Sequence, residues 1–589
     1  MTNISAHENA NTQANERTLV AGFLDKLTPG GSSGKGGASE ARQVATTPLN
    51  VLYGTVTGTA ELIAQDVGRA GRDQGMDAKV IDLSLVEMDA FANMKCVLFV
   101  CATYGEGEMP DNALLFWEAL TAPDAPRLEG LQYSVLGLGD QAYEHFCNAG
   151  KILDRRLEEL GAKRILPRVD CDIDYEENAE AWMAEALPLS QSIIASLNTT
   201  GDASAAATSE AEPAAPKKAW GRKNPYPATV LENRKLSGEG STKDMRHMVV
   251  DLGDSGITYE AGDSVGVMPV NNSALIEQLL ARLGADAGMA VPDHDKPLGE
   301  LLRTHFEILT PPRSLIQEIE KRAGHSELSA IAANGDKEAL EAFLWNRDTL
   351  DMLNLNPGLQ VDPLEFVSWL KPLQHRSYSI ASSPILQPTA VDLTVAALRW
   401  TSEGRAYGGV ASTYLADDCP LDVKIPLFLA PNRSFRIPED NTAPVIMVGP
   451  GTGVAPFRAF LQEREALGAP GRNWLFFGDR NRAMDFAYED DFNAMSTSGL
   501  LTRLDLAFSR DRDEKIYVQN RMHENGRELF AWLEEGGYFY ICGDATRMAH
   551  DVDAALHEII AREGDMSEDK AFGYVSRLKS EKRYLRDVY

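Results

Sequence analysis

The sequence predicts a multidomain chain of mixed α/β and β class, in which two doubly wound parallel sheets flank an antiparallel β-barrel with a helical insertion. Three observations carry that prediction. Between residues 49 and 197 apolar runs alternate with helical segments, the pattern of a parallel sheet covered on both faces. Between 220 and 440 the runs are short and separated by turns, as antiparallel strands are. From 441 to 589 strand and helix alternate again, led by Val445-Ile-Met-Val-Gly-Pro-Gly-Thr-Gly-Val-Ala-Pro-Phe-Arg458.

At 589 residues the chain has room for three or four domains. Its net charge of −30 argues against nucleic acid and against an anionic membrane surface as partners. No apolar run approaches a membrane span, and the first residues lack the basic and apolar regions of a leader. Cys96, Cys101, Cys147, Cys171, Cys419 and Cys542 show no metal-binding spacing. No metal is expected, and the thiols read as free in a reducing cytoplasm.

Residues 1–48 form a tail, with a flexible Pro29–Ala38 stretch. Before it Leu19, Val20, Phe23, Leu24 and Leu27 fall on one helical face, which suits a short docking helix or an end that orders weakly. In the first sheet, Asn50–Tyr53, Cys96–Cys101 and Tyr133–Leu136 read as strands, and ligands of such sheets sit at the carboxyl ends. The three loops there are Gly54-Thr-Val-Thr-Gly-Thr-Ala60, Ala102-Thr-Tyr-Gly-Glu-Gly-Glu-Met-Pro110 and Leu138-Gly-Asp-Gln-Ala-Tyr-Glu-His-Phe-Cys147. Hydroxyls and amides at a helix start hold a phosphate without any basic residue. Tyr104 and Tyr143 suit the two faces of a planar ring, or plain half-buried packing. Residues 50–199 carry 25 Asp and Glu against 11 Lys and Arg, which serves solubility or the docking of a basic redox partner. The 198–219 stretch is low-complexity linker.

In the middle region His247–Leu252, Ser264–Met268, Val391–Ala396 and Val423–Leu429 read as strands, and about 272–370 reads as a helical insertion. Arg376-Ser-Tyr-Ser-Ile-Ala-Ser-Ser383 is the chemistry-bearing run. Side chains alternate along a strand, so the Arg376 guanidinium, suited to pyrophosphate, and the Tyr378 ring share one face. Gly408-Gly-Val-Ala-Ser-Thr413 starts another helix. In the last region Trp474–Phe477, Leu504–Phe508 and Tyr538–Ile541 join Val445–Val448 as strands. The glycine turn, with Gly451 and Thr452 at its centre, aims amides at a pyrophosphate. Ser509-Arg-Asp-Arg-Asp-Glu-Lys-Ile-Tyr-Val-Gln519 puts Arg510, Lys515 and two hydroxyls where an extra phosphate would select NADPH over NADH, or forms a plain solvated charged loop. Cys542 follows the fourth strand, where a nicotinamide ring would lie.

The three acidic-region loops resemble those of flavodoxin-type FMN domains, and R-S-Y-S with the glycine-led turn resembles the FAD-binding barrel of ferredoxin–NADP reductases. Residues 50 to 589 together resemble the diflavin reductases, and within them the sulfite-reductase branch. The resemblance implies FMN at 49–197, FAD at 220–440 and NADPH at 441–589. It implies FMN contacts at Thr55, Val56, Thr57, Gly58, Thr59 and Ala60, at Ala102, Thr103, Tyr104 and Gly105, and at Leu138, Gly139, Asp140, Gln141, Ala142, Tyr143, Glu144, His145, Phe146 and Cys147. FAD contacts fall on Thr310, Arg376, Ser377, Tyr378, Ser379, Thr394, Val395, Ala396, Trp400, Gly409, Val410, Ala411 and Ser412, with Tyr589 stacked on the flavin ring. NADPH contacts fall on Ser509, Arg510, Lys515, Ile516, Tyr517, Val518, Gln519 and Asp551. Ser379, Cys542 and Asp587 match the family's trio around hydride transfer.

The implied activity is electron flow from NADPH through FAD and FMN to a siroheme iron–sulfur subunit. Another haemoprotein acceptor, as in a mono-oxygenase system, is the alternative, and a non-catalytic flavin-binding module is a third. Tyr104 is closer to the cytochrome-reductase branch, and the tail shows little of the N-terminal region linked in the family to homo-oligomers.

Overall fold

The computed structural model describes residues 47–589 apart from 56–57, 105–106, 142–144, 173–174, 199–219 and 223. The expected tail helix, most of the linker, and Val56, Thr57, Gly105, Ala142, Tyr143 and Glu144 lie outside the described residues.

The N-terminal sheet is parallel, built from β1 (Leu49–Gly54), β2 (Ala78–Asp82), β3 (Cys96–Ala102), β4 (Gln132–Leu138), β5 (Lys163–Arg164) and β6 (Val169–Cys171). Its order is β2-β1-β3-β4-β5, with β6 also on β4. β1, β3 and most of β4 are buried on both faces, which is why they stand out as unbroken apolar runs. β2, at the sheet edge, reads Ala-Lys-Val-Ile-Asp and gives no such signal.

The middle sheet is antiparallel: β7 (Tyr226–Lys235), β8 (Asp244–Asp251), β9 (Ser264–Val267), β10 (Arg376–Ser379), β11 (Ala390–Ala397) and β14 (Lys424–Ala430), in the order β10-β9-β14-β7-β8-β11. One bridge, Ile380 to Leu393, joins the two end strands of that path. A hairpin of β12 (Arg399–Ser402) and β13 (Arg405–Gly408) stands apart. Between β9 and β10 run the helices from Ser273–Leu283 to Pro363–Ser368, around a core of their own that includes Leu279, Leu301, Ile319, Leu353 and Phe366.

The C-terminal sheet is parallel, with β15 (Val445–Val448), β16 (Asn473–Asp479), β17 (Arg503–Phe508), β18 (Tyr538–Gly543) and β19 (Tyr584–Val588) in the order β17-β16-β15-β18-β19. β19 is a strand that the sequence reading lacks, because Tyr-Leu-Arg-Asp-Val has no apolar run or alternation.

A buried guanidinium binds the middle sheet to the C-terminal one. Arg458 donates from Nη1 to Asp392 Oδ2 at 2.7 Å and to the Ala381 carbonyl at 2.8 Å, and from Nε to Asp491 Oδ2 at 2.7 Å. The Tyr488 ring lies under it at 4.8 Å, and the Tyr488 hydroxyl meets Thr394 Oγ1 at 2.8 Å and His247 Nδ1 at 3.1 Å. The N-terminal domain meets the rest through acids on its side and bases on the other: Glu61 with Arg433 at 3.4 Å, Asp172 with Lys371 at 3.0 Å, Glu176 with Arg222 at 2.7 Å.

Replacing Arg458 by alanine leaves Asp392 buried without its cation and is expected to cost about 3–5 kcal/mol. Denaturant unfolding of the C-terminal region, followed against wild type, checks it.

Candidate functional site

The sites grow from the carboxyl ends of the strands. After β1, the Thr55 N–H donates to Asn112 Oδ1 at 2.8 Å, and the Gly58 N–H donates to Thr55 Oγ1 at 2.9 Å. Gly58 has φ +85° and opens the helix Thr59–Asp73 without a side-chain cap, so its first amides stay available to an anion. Asn112 Nδ2 is buried and without a partner. Left-handed glycine, uncapped helix start and an unused amide donor fit a phosphate-bearing flavin such as FMN.

The neighbouring loops converge on this end. Thr103 Oγ1 accepts from the Ala149 N–H at 3.3 Å, and the Thr103 N–H donates to the Leu138 carbonyl at 2.9 Å. Gly139 bonds to the Cys171 carbonyl at 3.0 Å, and the Gln141 N–H to Asp172 Oδ1 at 2.9 Å. Asp140 lies 3.9 Å from Lys371. Cys147 is buried with φ +52°, its thiol donating to the Cys171 carbonyl at 3.3 Å, so it shapes the loop from within. Ala102 and Phe146 are half-buried and His145 exposed. Tyr104 packs against the hydrophobic core of the C-terminal domain.

In the middle domain, Arg376 is exposed and donates to the carbonyls of Gln374 and His375, both at 3.2 Å. Its other nitrogen lies 3.8 Å from Glu307 Oε2, while Glu307 Oε1 accepts from the Thr310 N–H at 3.2 Å. Glu307 thus gathers Arg376 and Thr310, a link with no signal in the sequence. Ser377 is exposed beside them, and burial pushes the Tyr378 phenol well up. Trp400 stacks on Tyr407 with centroids 5.5 Å apart, and its Nε1 is buried without a partner. Thr394 and Val395 are buried, Thr394 committed to Tyr488, so only Ala396 of that trio presents its side chain to solvent. Gly409 starts the short helix Val410–Thr413, where Ala411 is buried and the Ser412 hydroxyl accepts from the Leu398 N–H at 3.1 Å. The exposed guanidinium, the aromatic ring and the unused indole N–H fit a dinucleotide flavin such as FAD.

The third site is the glycine turn after β15. A Cβ on Gly453 would meet the Cys542 carbonyl oxygen at 2.0 Å, so only glycine lets this turn pack on β18. Gly451 has φ +60°, and a Cβ there would lie 3.8 Å from Lys243 Nζ and 4.0 Å from Asp479 Oδ2. Lys243 pairs with Asp479 at 2.5 Å, and Arg480 donates to Thr242 Oγ1 at 2.7 Å. These bases, from the turn before β8 and the turn after β16, were beyond sequence reasoning. Ser509 bonds to the Asp479 carbonyl through its N–H at 2.9 Å, and the Arg510 N–H donates to the Arg480 carbonyl at 2.8 Å. Arg510, Lys515 and Tyr517 are exposed, and among the described residues no ion pair holds Arg510 or Lys515. Ile516 is half-buried and Val518 buried, anchoring the segment. Gln519 Nε2 donates to Asp551 Oδ2 at 3.0 Å. A turn open to phosphate beside unpaired bases fits NADPH.

Between the second and third sites stands a polar cluster. β18 and β19 run parallel with Cys542 opposite Asp587. Asp587 Oδ2 accepts from Ser379 Oγ at 2.8 Å and from Cys542 Sγ at 3.7 Å, and Oδ1 accepts from Asn432 Nδ2 at 3.3 Å. Burial pushes the Asp587 carboxyl up, against the pull of those donors. Burial, and then the Asp587 charge, hold the Cys542 thiol far above its ordinary value, so it stays protonated. The Tyr589 hydroxyl meets Thr452 Oγ1 at 2.9 Å and its N–H donates to the Gly543 carbonyl at 3.1 Å, so this residue is tied down although 61% exposed.

Three family models match in this order: Flavodoxin at residues 51–182, FAD binding domain at 219–414, and Oxidoreductase NAD-binding domain at 447–554. The chain is 43% identical to the sulfite reductase (NADPH) flavoprotein alpha-component of Bacillus subtilis (strain 168), over 92% of this chain and 89% of that one. It is 40% identical to the protein of the same description from Shewanella sp. (strain MR-7), over 98% and 96%, and 40% identical to that of Zymomonas mobilis, over 93% and 90%. With three matched domains in sequence and identity spread along nearly the whole length, the chain belongs to the family of sulfite reductase (NADPH) flavoprotein alpha-components.

Proposed function

We propose that this chain is the NADPH-oxidising flavoprotein of an assimilatory sulfite reductase, serving a separate siroheme iron–sulfur subunit. The carrying observation is the Ser379–Asp587–Cys542 cluster, assembled from two domains between a flavin-type site and a nucleotide-type turn. Bound FAD and FMN supply the redox chemistry, accepting a hydride's two electrons together and releasing them singly. The protein's part is to bind, orient and exclude water.

In this reading the domains at 49–197, 220–440 and 441–589 hold FMN, FAD and NADPH. Ser379, Cys542 and Asp587 orient the nicotinamide and offer it neutral donors and one carboxylate, fixed beforehand by their mutual hydrogen bonds. Arg510 and Lys515 select the extra phosphate of NADPH. Tyr589 would cover a bound flavin ring, and admitting the nicotinamide would require it to give up its bond to Thr452. We place the protein in the cytoplasm, where its six buried thiols stay reduced. Association of copies through residues 1–48 belongs to the same reading. No helix among the described residues is long and apolar enough to cross a membrane.

The deciding experiment mixes the purified, flavin-loaded chain with a siroheme iron–sulfur subunit and measures NADPH-dependent conversion of sulfite to sulfide. Sulfide formation is expected; cytochrome c reduction without any sulfide would shift the assignment to another haemoprotein. Arg510→Ala should raise KM for NADPH about tenfold or more and barely change that for NADH, in steady-state ferricyanide assays. Removing the Tyr589 ring should narrow the NADPH-over-NADH preference, read as the ratio of the two kcat/KM values; an unchanged ratio rejects the gate.

A further inference from the structure

Asp587 is gripped from three separate elements. Ser379 on β10 and Cys542 on β18 both donate to its Oδ2, at 2.8 and 3.7 Å. The other oxygen, Oδ1, accepts from Asn432 Nδ2 at 3.3 Å, from the loop that follows β14. That loop is rigidly placed: the Asn432 N–H donates to Asp263 Oδ1 at 2.9 Å, and the Asn432 carbonyl accepts from the Phe435 N–H at 3.2 Å. Ser434 Oγ donates to Asn432 Oδ1 at 2.9 Å, which fixes the amide with its nitrogen toward Asp587.

The electrostatic surroundings give that amide its importance. Among the described residues no basic side chain pairs with Asp587. The Asp263 carboxylate behind Asn432 is already matched by Arg436, which also pairs with Glu260 at 2.8 Å. Tyr589, two residues on at the end of β19, has Asp544 and Cys542 for charged or thiol neighbours and brings no positive charge. An ionised Asp587 therefore depends on neutral donors alone, and Asn432 is the one that reaches Oδ1.

We propose that Asn432 is a positioning residue for hydride transfer: its amide donor holds the second oxygen of Asp587, keeping that carboxylate ionised and turned toward Ser379 and Cys542. This rests on the role given to the Ser379–Cys542–Asp587 cluster above. The sign follows from which form the bond favours. A donor stabilises the anion, so removing it raises the pH at which Asp587 takes up a proton. The acid limb of the hydride step then moves toward neutral pH.

The test uses the full flavin-loaded chain and two substitutions. Flavin reduction by NADPH and by its 4R-deuterated form is followed in a stopped flow across pH. In parallel, infrared spectroscopy follows the protonated-carboxyl band that disappears in Asp587→Asn. Asn432→Ala should move both the acid limb and the band up by about one pH unit, with KM for NADPH within about twofold. Asn432→Asp keeps the shape and the bond from Ser434 but replaces the donor by a second acceptor, so it should shift both further. A purely structural role predicts the reverse ranking, with the isosteric variant like wild type. Wild-type titration in both variants overturns the proposal. If Asp587→Asn itself keeps wild-type rates and its acid limb, the reading of the cluster fails first, independently of Asn432.

Discussion

The contact between Ser379 and Asp587 depends on one buried cation. Ser379 belongs to the middle domain and Asp587 to the C-terminal one, so their 2.8 Å hydrogen bond exists only while the two domains keep one orientation. Arg458 enforces it by reaching from the helix after the glycine turn into the middle sheet, where Asp392 and the Ala381 carbonyl receive it. The same helix begins at the turn that packs on Cys542, so a single rigid element sets both the nucleotide site and the domain angle. An ion pair this deep adds little net energy over a well-packed apolar contact, but its geometry admits few alternatives.

The N-terminal domain is joined differently. Its contacts with the remainder include acid–base pairs near the carboxyl ends of its strands, among them one with an Arg433 that is 65% exposed. Pairs open to solvent are worth about 1 kcal/mol or less and weaken with salt. The Arg433 end of this seam is open to salt, while Lys371 and Arg222 meet their acids at half-buried positions. The acidic excess of residues 50–199 is spent in part within the chain, on Lys371, Arg222 and Arg433, before any external partner is considered. Tyr104 shares this duality, since the residue expected beside a flavin also packs on the C-terminal core.

Sequence reasoning was strongest where local pattern and burial agree. Val445–Val448, Cys96–Cys101 and Trp474–Phe477 are central strands buried on both faces, and their unbroken apolar runs announce them. It missed the edge strands β2 and β19, where Lys79 and Asp82, and Arg586 and Asp587, break up the apolar pattern. The candidate residues that sequence could name are those inside motifs: the glycine turn, Arg376 to Ser379, Ser509 to Gln519. Glu307, Asn432, Lys243 and Arg480 are not among them, because each reaches its partner across a long stretch of chain and occupies no motif. Thr394 differs from its neighbours in the matching run, since its side chain is taken up by Tyr488.

β9 and β10 are hydrogen-bonded neighbours, yet the whole helical insertion separates them in the chain. A flexible segment of that length would make their meeting slow, since sequence-distant pairings delay folding. The insertion carries its own core, however, and once that core condenses its two ends are held by structure rather than by chance. The helices thereby act as a folding splint. Topology therefore favours assembly of the helical core ahead of the strand that bears Arg376 and Ser379.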